Sequence, residues 1–277
     1  MAVISPQTIL ITGCSSGIGQ ALALEFKARG HTVFATARQA HALASLTAMG
    51  FTAVELDVTS QQSIDKAKEH IQSQTNRLDM LINNAGYGQF GAVLDTDSNA
   101  LRRQFETNVI APVALSRAFL PLLRTSPSAC IANVGSISGI ATTPFAGVYC
   151  ASKAALHALS DAMRMELGPL GVRVVTVQPG GIASKFGDNA EHEIQFPEGS
   201  PCASIAKFIQ GRAKMSQVGA TPAETFAKTV VNHLLDRNAN PICRAGKHST
   251  RLPTLKLLLP TKTLDFKMQK LFGLDQL

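Results

Sequence analysis

The sequence predicts an α/β fold: a Rossmann-like, doubly wound parallel sheet of about seven strands with helices on both faces. Three observations predict it. Short apolar runs alternate with helical stretches along most of the 277 residues, which is the rhythm of strand–helix–strand units. The first such unit places a glycine-rich turn between its strand and its helix. And the residues able to do chemistry (the glycine turn, Arg38, Asp57, Asn84, Ser136 and Pro179-Gly180) fall at the carboxyl ends of the strands, where sheets of this kind bind ligands.

Thr8-Ile9-Leu10-Ile11 is the first strand. The turn Thr12-Gly13-Cys14-Ser15-Ser16-Gly17-Ile18-Gly19 and a helix over 20–28 follow it. Glycines let the backbone turn tightly and approach a pyrophosphate, whose charge helix N–H groups stabilise. Gly13, Ser15, Ser16, Gly17, Ile18 and Gly19 are therefore candidate cofactor-binding residues. Residues 32–37 form the second strand, with Arg38 at its end. NAD sites carry an acid about 20 residues past such glycines, for the ribose hydroxyls. Here Ala37 and Arg38 stand in its place. A guanidinium pairs with a 2′-phosphate where an acid would repel it, so NADP(H) is the expected cofactor.

A helix over 40–48 leads to a third strand over 51–58, ending in Asp57 and Val58, where an acid would meet the adenine edge. An amphipathic helix over 61–74 and a fourth strand over 78–82 follow, closed by Asn83-Asn84-Ala85-Gly86. Asn84 and Gly86 either face the cofactor or hold the strand end. Residues 98–123 read as one long helix that Pro112 should bend, freeing nearby carbonyls. Asn108 just before the break has a side chain or main chain able to hold water. The fifth strand, 131–134, ends at Gly135-Ser136-Ile137-Ser138. The sixth, 172–177, is closed by Pro179-Gly180-Gly181, with Ile182 and Ser184 just beyond. Ile242 and its neighbours make a seventh, edge strand.

Between the fifth and sixth strands lies Gly147-Val148-Tyr149-Cys150-Ala151-Ser152-Lys153, opening an alanine-rich helix. Tyr149 and Lys153 are four apart and share a face. A neighbouring ammonium is expected to pull the phenol from its reference pKa of about 10 toward working pH, so that the pair can pass a proton to or from a reacting oxygen.

Composition excludes several classes. Hydrophobic content of 45 % and charged content of 16 % suit a cored globular chain rather than a disordered one. No run of 18 uncharged apolar residues offers a membrane span, and Met1-Ala2-Val3-Ile4 shows no signal-peptide pattern. Five cysteines with no metal spacing point to reduced thiols and a cytoplasmic setting. His157 and His192 have no partners at ligand spacing, so no metal is expected. The net charge is +7, of which +5 lies from Arg244 onward. A body carrying only +2 argues against a nucleic-acid partner.

Taken together, Thr12-Gly-x-x-x-Gly17-x-Gly19, Asn83-Asn-Ala-Gly86, Asn108, Ser136, Tyr149-x-x-x-Lys153 and Pro179-Gly180 resemble the single-domain branch of the short-chain dehydrogenase/reductase family. The likeness covers roughly residues 6 to 185. It implies that Tyr149 is the general acid or base and that Lys153 lowers its pKa and holds the nicotinamide ribose. It implies that Ser136 hydrogen-bonds the substrate oxygen and that Asn108 positions a water feeding protons toward Lys153. Ser184 stands where many members carry a threonine that contacts the carboxamide. The C-terminal third is similar to acyl-dihydroxyacetone-phosphate reductases, and the Tyr149 region to hydroxysteroid dehydrogenases. Both imply a hydrophobic, lipid- or steroid-like ketone or secondary alcohol. A ketoacyl-carrier-protein reductase and a non-catalytic NADP(H)-binding sensor are the alternatives. A homo-oligomer through the long helices is a family expectation.

The whole chain, 1–277, is expected to be one catalytic domain. A substrate lid spans about 184–218 and a basic extension about 244–277. Gly181 would free a mobile loop. Phe186, Ile194, Phe196, Ile205, Phe208, Ile209 and Met215 either line an apolar pocket or pack the lid. The tail mixes leucines with lysines: it either packs on the lid or a second subunit, or makes peripheral contact with an anionic membrane. Packing is the preferred reading, because Pro253 and Pro260 break the longest apolar helix.

Overall fold

The inner apolar runs of the sequence become strands buried on both faces, as a parallel sheet covered by helices requires, while the two edge runs, 52–55 and 242–245, stay partly exposed. The computed structural model describes residues 5–192, 194 and 196–277. Met1–Ile4 and the His192 side chain, on which two of the expectations fell, lie outside the described part. Seven parallel strands are present among the described residues: β1 (Thr8–Ile11), β2 (Thr32–Ala37), β3 (Thr52–Glu55), β4 (Met80–Asn83), β5 (Cys130–Val134), β6 (Arg173–Pro179) and β7 (Ile242–Ala245). Their order is β3-β2-β1-β4-β5-β6-β7. The chain winds one way from β1 and the other way from β4, and this opens a crevice between those strands' carboxyl ends.

The period of two along each strand divides the core. Ile9 and Ile11 of β1, with Val33, Ala35 and Ile82, face α1 (Gly17–Ala28), α2 (Ala40–Ala48) and, further along the sheet, α9 (Ala223–Leu235). Leu10, with Phe34, Leu81, Ile131 and Val174, faces α3 (Gln61–Gln72) and the long 98–123 segment. Phe26 and Phe226 are fully buried on the first face and Phe119 on the second. Each buried aromatic of this kind contributes about 1.5–3 kcal/mol.

Among the boundaries that differ from expectation, three have a clear local reason. Helix α1 begins at Gly17 rather than at residue 20, so its first turn belongs to the glycine loop. Strand β3 ends at Glu55, and Asp57 is in the turn beyond it. There its carboxylate accepts from the Thr59 N–H (2.9 Å) and hydroxyl (2.7 Å), which competes with continued pairing. The long helix is interrupted: α4 (Ser98–Phe105) and α5 (Ala111–Leu123) flank a π-helical turn at Glu106–Ile110. Pro112 has no N–H to offer the Asn108 carbonyl four residues back, and the widened turn accommodates that loss.

Helix α6 (Gly147–Leu167) precedes β6. After β6 the rhythm breaks into α7 (Phe186–His192) and α8 (Ala206–Lys214). Ile205 and Ile209 are buried against Phe145 and Phe272, with Phe196 and Phe208 packed beside them. These four residues therefore pack rather than line a pocket. The tail forms α10 (Arg251–Leu258) and α11 (Thr261–Leu271), with Leu264 and Phe272 buried. Phe272 packs on Ile205, Ile209 and Phe208 of the 184–218 segment, while Leu257, Leu258 and Phe266 stay exposed. No helix among the described residues is long and apolar enough to cross a membrane.

Candidate active site

The carboxyl ends of the strands open into one cleft of about 1270 Å³. At its N-terminal end lies the glycine turn. Gly13 (φ 71°) and Gly17 (φ 59°) sit in the left-handed region that favours glycine. A Cβ at Gly19 would run into the Gly13 carbonyl and the Asn84 amide. The capping position of α1, Ser16, makes no side-chain cap, and the first turn carries no acid. Its N–H groups are left for a ligand, and a pyrophosphate fits such a helix end. The turn is pinned from β4: Asn84 Nδ2 donates to the carbonyls of Thr12 (2.8 Å) and Gly13 (3.1 Å), and the Asn84 and Ala85 N–H groups both donate to Thr12 Oγ1 at 2.9 Å. Of the two readings of Asn84, its amide thus serves the structural one, although the residue lines the cleft. Cys14 points away, with its thiol buried and its pKa pushed up to about 12.

Ala37 and Arg38 line the cleft at the end of β2, as do Asp57 and Val58 beyond β3. Partial burial raises the Asp57 pKa, but the Thr59 hydrogen bonds and the Arg38 guanidinium outweigh it and hold the carboxyl below its ordinary value. Pro179, Gly180, Ile182 and Ser184 line the opposite wall with Gly86. Gly181 is not a source of freedom. Its N–H donates to Lys247 O (2.9 Å), its carbonyl accepts from Thr221 N (3.0 Å), and a Cβ there would stand 2.7 Å from Ser216 O. Close approach is the reason for the glycine.

At the other end stand Ser136, Tyr149 and Lys153. Ser136 follows β5, and helix α6 carries the other two at helical spacing: Tyr149 and Lys153 face the cleft, His157 lies one turn further, and Ser160 accepts from Asn133 Nδ2 at 2.9 Å. Lys153 Nζ donates to Val134 O at 2.8 Å and stands 6.0 Å from the Tyr149 ring centre. The expected lowering of the phenol does not occur in this state. Burial pushes Tyr149 up to about 12, opposed by hydrogen bonding to Ser136, and burial likewise lowers Lys153 to about 8. The ammonium is itself desolvated, and for the phenol burial outweighs every influence that lowers it.

Asn108 is buried and lies behind the cleft wall rather than on it. Its Oδ1 accepts from Tyr87 N (3.2 Å), and its Nδ2 donates to Tyr87 O (3.0 Å) and Ser152 Oγ (3.1 Å). Both ends of the side-chain amide are therefore engaged by protein.

Sequence reasoning missed several residues. His157 Nε2 accepts from Ser136 N at 3.3 Å, and the ring fills the space that Gly135 and Gly139 leave. Burial and the Lys153 charge lower it to about 4, so it is a neutral acceptor under the Ser136 loop. Phe90 stacks on Tyr149 with ring centres 5.8 Å apart, and Phe186 lies 5.5 Å from the same ring. Phe186 and Met215 are the expected lid residues that do line the cleft. Arg212 lines it too, as do Leu252, Leu255 and Met268 of the tail. A lone aromatic between Gly88 and Gly91, and a charge on the apolar face of α8, were the only local signals for Phe90 and Arg212. Among the described residues no cluster of His, Cys, Asp or Glu could hold a metal ion.

A glycine turn and uncapped helix at one end of a cleft, and a hydroxyl, a phenol and an amine at the other, define a dinucleotide-binding α/β protein equipped for proton transfer. Residues 7–195 match the family model described as short chain dehydrogenase. A short-chain dehydrogenase/reductase of Pestalotiopsis microspora is 36 % identical over 279 residues, covering 99 % of this chain and 96 % of its own. Among solved structures, a short-chain dehydrogenase from Streptomyces avermitilis superposes with TM-score 0.81 at 30 % identity, with 98 % of each chain covered. Two more share the fold: one from Burkholderia phymatum in complex with NAD (TM-score 0.77, 22 % identity, 97 % of each chain) and one from Burkholderia cenocepacia in complex with NADP (0.74, 24 %, 97 % of this chain and 99 % of that one). The chain belongs to the short-chain dehydrogenase/reductase family.

Proposed function

We propose that the protein is an NADP(H)-dependent oxidoreductase that moves hydride between nicotinamide and a hydrophobic, lipid- or steroid-like ketone or secondary alcohol. One observation carries this reading: a single cleft runs from the glycine turn and Arg38 to Ser136, Tyr149 and the Phe90–Phe186 wall. Neighbours of the same fold have been captured with NAD and with NADP, so the choice of cofactor rests on Arg38 and the absence of an acid at Ala37. The bound nicotinamide supplies or accepts the hydride. Tyr149 gives the proton from its phenol oxygen to the carbonyl oxygen in reduction and takes it back in oxidation, while the Ser136 hydroxyl hydrogen-bonds that oxygen. A phenol held near 12 enters protonated, which suits reduction. Lys153 holds the ribose, and Asn108 fixes the Tyr87 loop beside it. Residues 184–218 act as the lid over the substrate.

We further infer a homo-oligomer through the long helices, where Ile110, Val113, Leu159 and Met165 are exposed. Five free thiols, four of them buried, suit a cytoplasmic setting. The test is NADPH and NADH oxidation across a panel of hydrophobic ketones. Turnover favouring NADPH supports the reading, and stable NADPH binding with no oxidation by any ketone overturns it.

A further inference from the structure

Helix α8 buries one charge on an otherwise apolar face. Arg212 shares that face with Ile209 and Ala213 and is 8 % exposed. Its Nε donates to Thr143 Oγ1 at 2.8 Å, and its guanidinium carbon stands 5.1 Å from the centre of the Phe90 ring, the ring that stacks on Tyr149. Among the described residues its two terminal nitrogens make no hydrogen bond and no carboxylate stands within ion-pair distance. Glu191 on the neighbouring helix already pairs with Lys214 at 2.7 Å. Among the described residues, the acidic groups that face the guanidinium are the Tyr149 phenol and the Cys150 thiol. Both are driven up by burial and carry no charge near neutrality. Buried charges are as a rule paired, because desolvation alone is costly, and an arginine cannot escape by losing its proton. Arg212 lines the cleft beside Tyr149, Phe186 and Ala190.

We propose that Arg212 anchors a carboxylate of the substrate: the substrate is an amphiphilic keto acid or hydroxy acid whose reacting oxygen faces Tyr149 and Ser136. This rests on the oxidoreductase reading above. One guanidinium offers one charge and a planar two-donor edge that matches the two oxygens of a carboxylate. Of the other Lys and Arg side chains on the cleft, Arg38, Arg103, Lys185 and Arg251 are exposed, while Lys153 is spent on Val134 O and Lys247 on Val218 O, so the second charge of a phosphate would go unmatched in this buried corner. The apolar remainder of the molecule then lies along Phe186 and Met215.

Calorimetric titration of the full-length protein loaded with NADP⁺ tests the proposal. The probes are 2-oxo-4-phenylbutanoate and 4-oxo-4-phenylbutanoate, each against its own methyl ester, and 4-phenylbutyl phosphate. At least one acid should bind about tenfold or more tightly than its ester, and Arg212→Met should bring that ratio close to one. Arg212→Lys should keep part of it. NADPH-dependent kcat/KM should follow the same ratio. Esters that bind as well as both acids overturn the proposal. So does a ratio that survives Arg212→Met while both ligands weaken alike, the behaviour of a structural strut. Tighter binding of the phosphate overturns the carboxylate assignment. If Arg212→Met does not fold, the wild-type ratio and the Arg212→Lys ratio decide. Acids that bind through Arg212 yet are never reduced leave the anchor standing and remove the oxidoreductase reading, so the two failures are distinguishable.

Discussion

The two ends of the cleft are built from different material. The cofactor end is mostly main chain: glycines at positive φ, helix N–H groups and carbonyls pinned by Asn84. The substrate end is almost all side chain, drawn from Phe90, Tyr149, Phe186, Arg212 and the tail. Backbone tolerates few substitutions at a close approach but treats every dinucleotide alike. Side chains can be exchanged without moving the sheet, so the substrate end is where members of one fold part company.

Substitutions at the two ends should separate accordingly. Tyr149→Phe carries the largest expected effect: turnover falls by about 10²–10⁴-fold or more, while NADPH binding, followed by its fluorescence, stays within about twofold. Loss of both together would mean that the ends are not independent. Arg38→Asp should shift the NADPH-to-NADH ratio of kcat/KM toward NADH by about tenfold or more and leave the KM for ketone unchanged. An unaltered ratio sinks the cofactor argument.

Phe272→Ala acts on the substrate end alone. The ring is 2 % exposed and lies edge-on to Phe145, 6.3 Å away. Phe145 itself is held at φ 61°, unfavourable for a bulky residue, two positions before α6. The change should cost about 3–5 kcal/mol in denaturant unfolding and raise the KM for ketone, with the NADPH affinity preserved.

The smallest effect concerns pH. His157 titrates near 4 in the folded chain against 6.5 when free. Between those values the unfolded chain binds more protons, so stability is present above 6.5 and falls as pH drops through 4. Burial of the ring is the main cause of the lowering; of the charged groups that face it, Lys153 and Arg244 add to it and Asp161 opposes it. Between pH 7 and 5 the wild type should lose up to about 2 kcal/mol more than His157→Gln. Equal losses in urea midpoints would show that the imidazole is not buried neutral.

The strands, their order of use and the residues at their ends were legible because they depend on local pattern. Apolar runs of four to six residues, a glycine turn and an i, i+4 pair each span less than one element. Even Pro112 announced a break, although only the structure shows that the break is a π turn and that Asn108 spends its amide on Tyr87. The phenol's pKa depends on tertiary context in the same way. Spacing places Lys153 beside Tyr149, but burial, which no spacing reveals, decides the sign of the shift.

The sequence by itself determined the sheet, the glycine turn, the Tyr149–Lys153 face and the basic character of the tail, since each follows from residues close along the chain. Only the assembled fold shows that Arg212 is buried beside Tyr149, that Phe90 stacks on that ring, and that the tail lines the cleft. Those contacts join residues tens to more than a hundred positions apart. Burial, which sets the cost of an unpaired charge, arises only when all of them are assembled.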